Sequence, residues 1–216
     1  MGTAKDGSLV QLRMTGNDSF YADDTWAKKI TGKEVCSHCL NILEGRKNVD
    51  VYVRNRPRRT DLDFIGNFLY RVRILSNRLI SIAGEESLRR TCSLGRVIDV
   101  GGFDHSRHRT VLPKRDTVIV RGEDPVTAGL CKKCGRLLMG VAGEAYVLRS
   151  QIPSEPFFLS DGEVFCTNAF YDKYLLRATL TRVEALEIPV RNEAEDGLPA
   201  ELDKLKAFLR RKKQFK

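Results

Sequence analysis

The sequence predicts an α+β fold with a mixed sheet and a few short helices. Three observations support this prediction. Several segments alternate apolar and polar residues as half-buried strands do. Two short helices begin at Ser or Thr caps, and the order of strands and helices repeats along the 216-residue chain.

The strand predictions rest on alternation and on β-branched residues. Residues 68–75 place Phe68, Tyr70, Val72 and Ile74 on one face, and residues 186–190 alternate in the same way. Further segments rich in Val, Ile and Tyr are predicted strands: 49–53, 96–100, 116–120 and 144–148.

Three helices are predicted. Ser76 caps the first, which Gly84 ends, and Thr167 caps the second. Pro199 fits the first turn of a third, amphipathic helix with a basic end.

Loops are predicted where Gly, Pro, Asn or charged residues cluster, at 54–59, 101–109, 122–129 and 191–197. The last loop separates one domain, residues 1–190, from a charged linker and basic helix, residues 191–216.

The order of elements indicates an internal duplication. A CxxC motif, strands, a Ser-Asn helix start and a further strand occupy residues 36–100. A CxxC motif, a strand, a Thr-Asn helix start and a further strand occupy residues 131–190. We therefore expect two related halves.

The two CxxC motifs predict one shared structural zinc site. Cys36 and Cys39 supply two thiolates and Cys131 and Cys134 supply two more, and four cysteines complete a closed tetrahedral zinc site. Structural zinc contributes on the order of 10 kcal/mol, which exceeds the logarithmic cost of closing the long loop. A redox dithiol and cysteines without special chemistry are the alternatives.

The remaining Cys and His residues give weaker signals. Cys92 and Cys166 are expected to be small core residues rather than nucleophiles. His105 and His108 form an H-x-x-H pair that could bind metal on a helical turn, although Gly101 and Gly102 favour a loop there. No catalytic triad motif, H-E-x-x-H zinc motif or P-loop occurs in the sequence.

The net charge of +9 is concentrated at the end of the chain, since residues 201–216 hold seven basic and two acidic residues. Nucleic acid is one partner for such a surface, but a solvated basic surface is the simpler interpretation. The candidate nucleic-acid contacts are Arg54, Arg56, Arg58, Arg59, Lys132, Lys133, Arg210, Arg211, Lys212 and Lys213.

The second CxxC motif with GRLL, followed by EPFFLSDG, a Thr-capped helix and a closing LEIPV strand, resembles the double-CxxCG motif family. This family is best represented in myxobacteria and includes immunity proteins against toxins delivered by kin. The resemblance is strongest over residues 131–190. It implies that Cys36, Cys39, Cys131, Cys134 and Gly135 form the paired motif. The chain differs at Leu40, where the family has glycine, and in its basic tail.

These observations favour a non-enzymatic bacterial binding protein. The resemblance implies immunity, with a cognate protein toxin as partner that is neutral or acidic near the contact. A zinc-dependent nucleic-acid-binding module is the alternative, and an enzyme using Cys92 or the His105/His108 pair is a third reading. Because no run of 18 apolar residues and no signal peptide is visible, we expect a cytoplasmic protein with no membrane partner.

Overall fold

A computed structural model describes residues 8–15, 23–40, 43, 49–54, 61–65, 72–99, 101–114, 121–124, 129–134, 137–138, 142–160 and 162–192. The strands are β1 Ser8–Met14, β2 Val51–Val53, β3 Phe64–Ile65, β4 Arg73–Ser76, β5 Cys92–Asp99, β6 Asp104–Pro113, β7 Arg121–Asp124, β8 Gly129–Leu130, β9 Leu137–Leu138, β10 Ala142–Leu148, β11 Phe157–Ser160, β12 Glu163–Thr167 and β13 Val183–Arg191. The helices are α1 Asp24–Ile30, α2 Asn77–Ala83, α3 Glu85–Thr91 and α4 Asn168–Phe170, which a π-helical turn Tyr171–Leu175 continues. A 3₁₀ turn covers Arg149–Gln151.

The strands form two mixed sheets and a small ribbon, which confirms the α+β class. The six-stranded sheet has the order β11-β12-β1-β13-β10-β7, and the five-stranded sheet has the order β2-β5-β6-β4-β3. Each sheet contains one parallel pair, β2 with β5 and β10 with β13, among antiparallel pairs. Strands β8 and β9 form the ribbon.

Three apolar clusters stabilise the two sheets. The largest takes residues from both sheets and from α2, including Leu12, Val111 and Leu79. A second cluster includes Val97 of the five-stranded sheet, and a third includes Phe165 of the six-stranded sheet. The sheets therefore pack against each other across the largest cluster, and each also has a covered second face.

The predicted caps are confirmed. The Ser76 hydroxyl accepts a hydrogen bond from the Leu79 N–H, and the Thr167 hydroxyl accepts one from the Phe170 N–H. Gly84, with φ 84°, ends α2 in a conformation that favours glycine.

Four predicted strands are found with shifted ends. The segments 49–53, 96–100, 144–148 and 186–190 correspond to β2, β5, β10 and β13. In the segment 68–75, both Ile74 and Leu75 are fully buried, because the sheet is covered on both faces. The predicted strand 116–120 and the predicted tail helix lie outside the described residues.

The loop predicted over residues 101–109 is wrong beyond its first residues, because β6 begins at Asp104. Only Gly101 to Phe103 form the turn. The Asp99 carboxylate accepts hydrogen bonds from the N–H groups of Gly101 and Phe103. Because β6 carries many polar residues, the sequence did not indicate this central strand. The buried Thr110 hydroxyl donates to the Val49 carbonyl at 2.7 Å and thereby satisfies its polar group.

The loop predicted over residues 122–129 is also partly wrong. Strand β7 pairs with β10 over Arg121–Asp124, and β8 begins at Gly129. Pairing with a neighbour far along the chain decides this structure, and local composition does not report it.

None of the helices in the described part of the chain is long and apolar enough to cross a bilayer.

A buried carboxylate joins two segments that are far apart in the chain. Asp63 is 1% exposed and accepts hydrogen bonds from the Ser76 hydroxyl, the Arg78 guanidinium and the Thr181 N–H. Burial alone would raise the pKa of Asp63, but these donors outweigh it and lower that pKa. Arg78 also donates to the carbonyls of Ala178 and Thr179, so the segment 178–181 is held against α2.

We predict that acid destabilises the fold through His108. Its imidazole is 4% exposed and lies 2.8 Å from the Leu62 carbonyl, and burial lowers its pKa from the ordinary 6.5. The unfolded chain therefore binds a proton before the folded chain does. The free energy of unfolding should fall as the pH drops below about 6.5, until the folded-state pKa is reached. Denaturant titrations at intervals of ~1 pH unit between pH 8 and pH 5 measure how the free energy of unfolding depends on pH.

The matched variant is His108→Gln, whose amide can still donate to the Leu62 carbonyl but does not titrate. Its stability should depend less on pH over the same interval. An unchanged slope in the variant would assign the effect to another group.

Candidate metal centre

Each CxxC motif lies between two backbone positions that pair with each other. The Leu43 N–H donates to the Glu34 carbonyl at 2.8 Å in the first motif. In the second motif, Gly129 of β8 pairs with Leu138 of β9. Both pairs enclose their two cysteines at the same spacing, so the two motifs share one local fold.

The four predicted cysteines meet at one point. The Sγ atoms of Cys36 and Cys131 are 3.7 Å apart, and those of Cys39 and Cys134 are 3.5 Å apart. All four lie within 4.8 Å of one another. These distances exceed a disulfide bond of about 2.05 Å and approach the ~3.8 Å edge of a tetrahedron with metal–sulfur bonds of ~2.3 Å. The cluster could therefore hold a metal ion.

The surroundings of the thiols favour the charged form that a metal requires. Backbone N–H groups of Cys39 and His38 lower the pKa of Cys36 to about 6. The Cys134 N–H acts in the same direction on Cys131, whose pKa is also lowered. Four thiolates this close repel one another unless a cation joins them, so the donor set fits a divalent metal.

The cluster is enclosed on one side and reaches solvent on the other. Cys36 is 3% exposed and Cys131 is 2% exposed, whereas Cys39 and Cys134 are half-buried. The exposed residues beside the thiols include His38, Lys132 and Lys133. The positive charge of the two lysines favours the negative charge of a four-thiolate site.

Leu40 has a conformation that the sequence alone could not reveal. Its φ is 54°, in the left-handed region, and its N–H donates to the Cys36 carbonyl at 3.0 Å. This turn aims both thiols of the motif at the same point. Gly135 occupies the corresponding sequence position in the second motif and lies outside the described residues. A leucine at such a position costs about 1–2 kcal/mol.

The other predicted site residues do not join the cluster. His105 and His108 lie on strand β6, where residues three apart point to opposite faces. Within the described residues, the four cysteines are the one group of three or more His, Cys, Asp or Glu side chains close enough to share a metal. His105 and His108 therefore do not lie on the helical turn that the predicted H-x-x-H metal pair requires.

The two remaining cysteines lie in the largest apolar cluster, as predicted. Burial raises the pKa of Cys92, and burial raises that of Cys166 to about 12. Both side chains are thus neutral thiols at pH 7 rather than nucleophiles.

Of the predicted nucleic-acid contacts, Arg54, Lys132 and Lys133 are described, and all three are exposed. Arg54 forms an ion pair with Asp24 at 3.1 Å. The other candidates, Arg56, Arg58, Arg59, Arg210, Arg211, Lys212 and Lys213, lie outside the described residues. Nucleic-acid binding stays a prediction.

The described chain also contains ion pairs between buried carboxylates and exposed arginines, which the sequence did not indicate. Asp63 with Arg78 is one, and Asp50 with Arg96, at 2.8 Å, is another. Neither pair has a sequence signal, because the partners are far apart in the chain.

No protein-family model matches the sequence, and no curated protein matches it either.

We predict that Leu40→Gly strengthens the first motif. Glycine adopts φ near 54° without the steric cost of a side chain, and Leu40 is 37% exposed, so little packing is lost. Allowing for the greater freedom of glycine in the unfolded chain, the gain should be up to about 1 kcal/mol. Denaturant titration in the presence of zinc measures it.

The matched control is Leu40→Val, because a β-branched residue tolerates a positive φ less well than leucine. It should lower the stability. An equal loss in both variants would show that the leucine side chain, not its backbone, matters.

Proposed function

We propose that Cys36, Cys39, Cys131 and Cys134 bind one structural Zn²⁺. The observation that carries the proposal is the convergence of four thiols within 4.8 Å from two motifs. With four protein thiolates as ligands, a tetrahedral ion has no open position for water or substrate, which is typical of a structural site. The ion would fix the geometry of the two CxxC motifs relative to each other.

We predict that the purified protein contains one zinc ion per chain. Cys36→Ser and Cys131→Ser should each abolish stoichiometric binding, because three thiolates hold the ion much more weakly. Both variants should also melt at a lower temperature. Elemental analysis of the protein after gel filtration measures the metal, and thermal unfolding measures the stability.

Cys92→Ala is the control, since Cys92 lies outside the cluster and its loss should leave the zinc content unchanged. Iron in place of zinc would contradict the choice of metal. No bound metal in the native protein would contradict the site itself.

We further propose that the protein acts by binding rather than by catalysis. Cys92 and Cys166 are neutral, buried thiols, and His108 contacts a backbone carbonyl inside the fold. The side chains that a catalytic interpretation would use thus have structural surroundings. The resemblance to the double-CxxCG motif family supports immunity against a cognate bacterial toxin as the specific role.

A rigid surface suits this role, because a bound partner then costs less ordering. Two covered sheet faces and a four-thiolate centre supply such rigidity. The net charge of +9 disfavours approach to a strongly cationic toxin, so the toxin should be neutral or acidic at the contact.

We predict that co-expression of this protein rescues cells from the toxin encoded beside its gene. The two proteins should elute together from gel filtration with little dependence on salt. The nucleic-acid alternative predicts instead an affinity for random DNA or RNA that falls steeply with salt and falls again when residues 199–216 are deleted.

The metal variant Cys36→Ser separates the two proposals. Loss of zinc with retained rescue would leave the binding role intact and make the metal dispensable. Zinc binding without rescue or toxin contact would leave the structural site intact and contradict immunity.

A further inference from the structure

The two sheets share one plan. From the edge strand β3 to the edge strand β2, the five-stranded sheet has the order β3-β4-β6-β5-β2. The six-stranded sheet has the order β11-β12-β1-β13-β10 and then adds β7. Four of the five shared positions hold strands that follow the two CxxC motifs in the same chain order. The central position holds β6 in one sheet and β1 in the other.

The pairing registers match as well as the strand order. In the β3–β4 pair, Phe64 faces Leu75 and Ile65 faces Ile74. At the equivalent positions of the β11–β12 pair, Phe157 faces Cys166 and Phe158 faces Phe165. The Ser76 N–H donates to the Asp63 carbonyl where the Thr167 N–H donates to the Pro156 carbonyl. In the parallel pairs, Val53 faces Asp99 where Val147 faces Val190.

The two central strands are equivalent residue for residue. Thr110 of β6 lies between Ile74 and Gly95, and Gln11 of β1 lies between Phe165 and Leu186. The next residue in each strand, Val111 or Leu12, is fully buried in the same apolar cluster. The stretch 9–12 thus matches the stretch 108–111.

Chain order gives this equivalence its meaning. Strand β1 precedes the first CxxC motif but lies in the sheet formed after the second one. Strand β6 precedes the second CxxC motif but lies in the sheet formed after the first one. We propose that the chain consists of two copies of one unit, residues 8–99 and 104–191, that exchange their first strands.

The connections agree with this exchange. A tight turn joins β5 to β6, where the Asp99 N–H donates to the Phe103 carbonyl at 3.0 Å. The equivalent strands β13 and β1 are also antiparallel neighbours, with Ser8 facing Pro189, but the chain does not connect them directly. The two described ends therefore lie where the equivalent turn would be.

Exchange interlocks the units without any metal. Neither sheet has its central strand until the other unit is present, so each unit by itself leaves β4 or β12 without one neighbour. The shared metal site, with one CxxC motif from each unit, then adds a second link between them. This inference stands on strand pairing and does not depend on the proposed zinc.

A circular permutant of the whole chain tests the equivalence. Lys216 is joined to Met1, and the chain is opened in the β5–β6 turn, so that it begins at Phe103 and ends at Gly102. The β5–β6 hairpin is thereby opened, β13 and β1 become connected through residues 192–216 and 1–7, and every residue is kept. The permutant should fold, melt within a few degrees of the native-order chain and bind the same amount of metal.

The control permutant has the same junction but is opened after Ser160, in the β11–β12 hairpin within one unit. It should melt at a lower temperature than the first permutant. A first permutant that fails to fold, or that melts no higher than the control, would overturn the equivalence of the two connections.

Hydrogen exchange on the native-order chain tests the strand exchange separately. Leu12→Ala should speed exchange most at the amides of β12 and β13, and Val111→Ala most at those of β4 and β5. The reverse assignment, with each variant loosening the sheet of its own unit, would falsify the exchange. Metal content is measured in parallel, so a failure of the zinc proposal is distinguishable.

Discussion

The convergence of four thiols is the constraint on which the candidate metal site depends, and it adds a link between the two halves of the chain. Bringing these groups together costs loop closure and charge repulsion, and a bound divalent cation would offset both. Within each motif, backbone N–H groups stabilise the thiolate of Cys36 or of Cys131. The candidate metal centre therefore depends on local turn structure as well as on the tertiary fold.

The interior is held by more than the cysteine cluster. Asp63 joins α2 to the segment 178–181 through a set of donors that neutralises its charge, which is the condition for burying a carboxylate. The largest apolar cluster joins the two sheets over their facing sides. These contacts cross between the halves of the chain and hold them together.

Local signals predicted much of the fold. The Ser76 and Thr167 caps and the Gly84 stop follow from hydrogen bonding and φ within a few residues, so the sequence reveals them. Strand β6 was missed because its buried positions hold His108 and Thr110, whose polar atoms bond to distant carbonyls. Leu40 was recognised only as a departure from glycine, and its left-handed conformation became apparent from the backbone.

The sequence by itself determined which side chains could bind a metal and that two similar segments follow the two CxxC motifs. Spacing along the chain carries that information, because two thiols three residues apart fit one turn. Only the tertiary structure decided that the motifs meet and that β1 and β6 occupy each other's expected places. Strand pairing joins residues separated by a hundred positions or more, and its register depends on neighbours that no local pattern identifies.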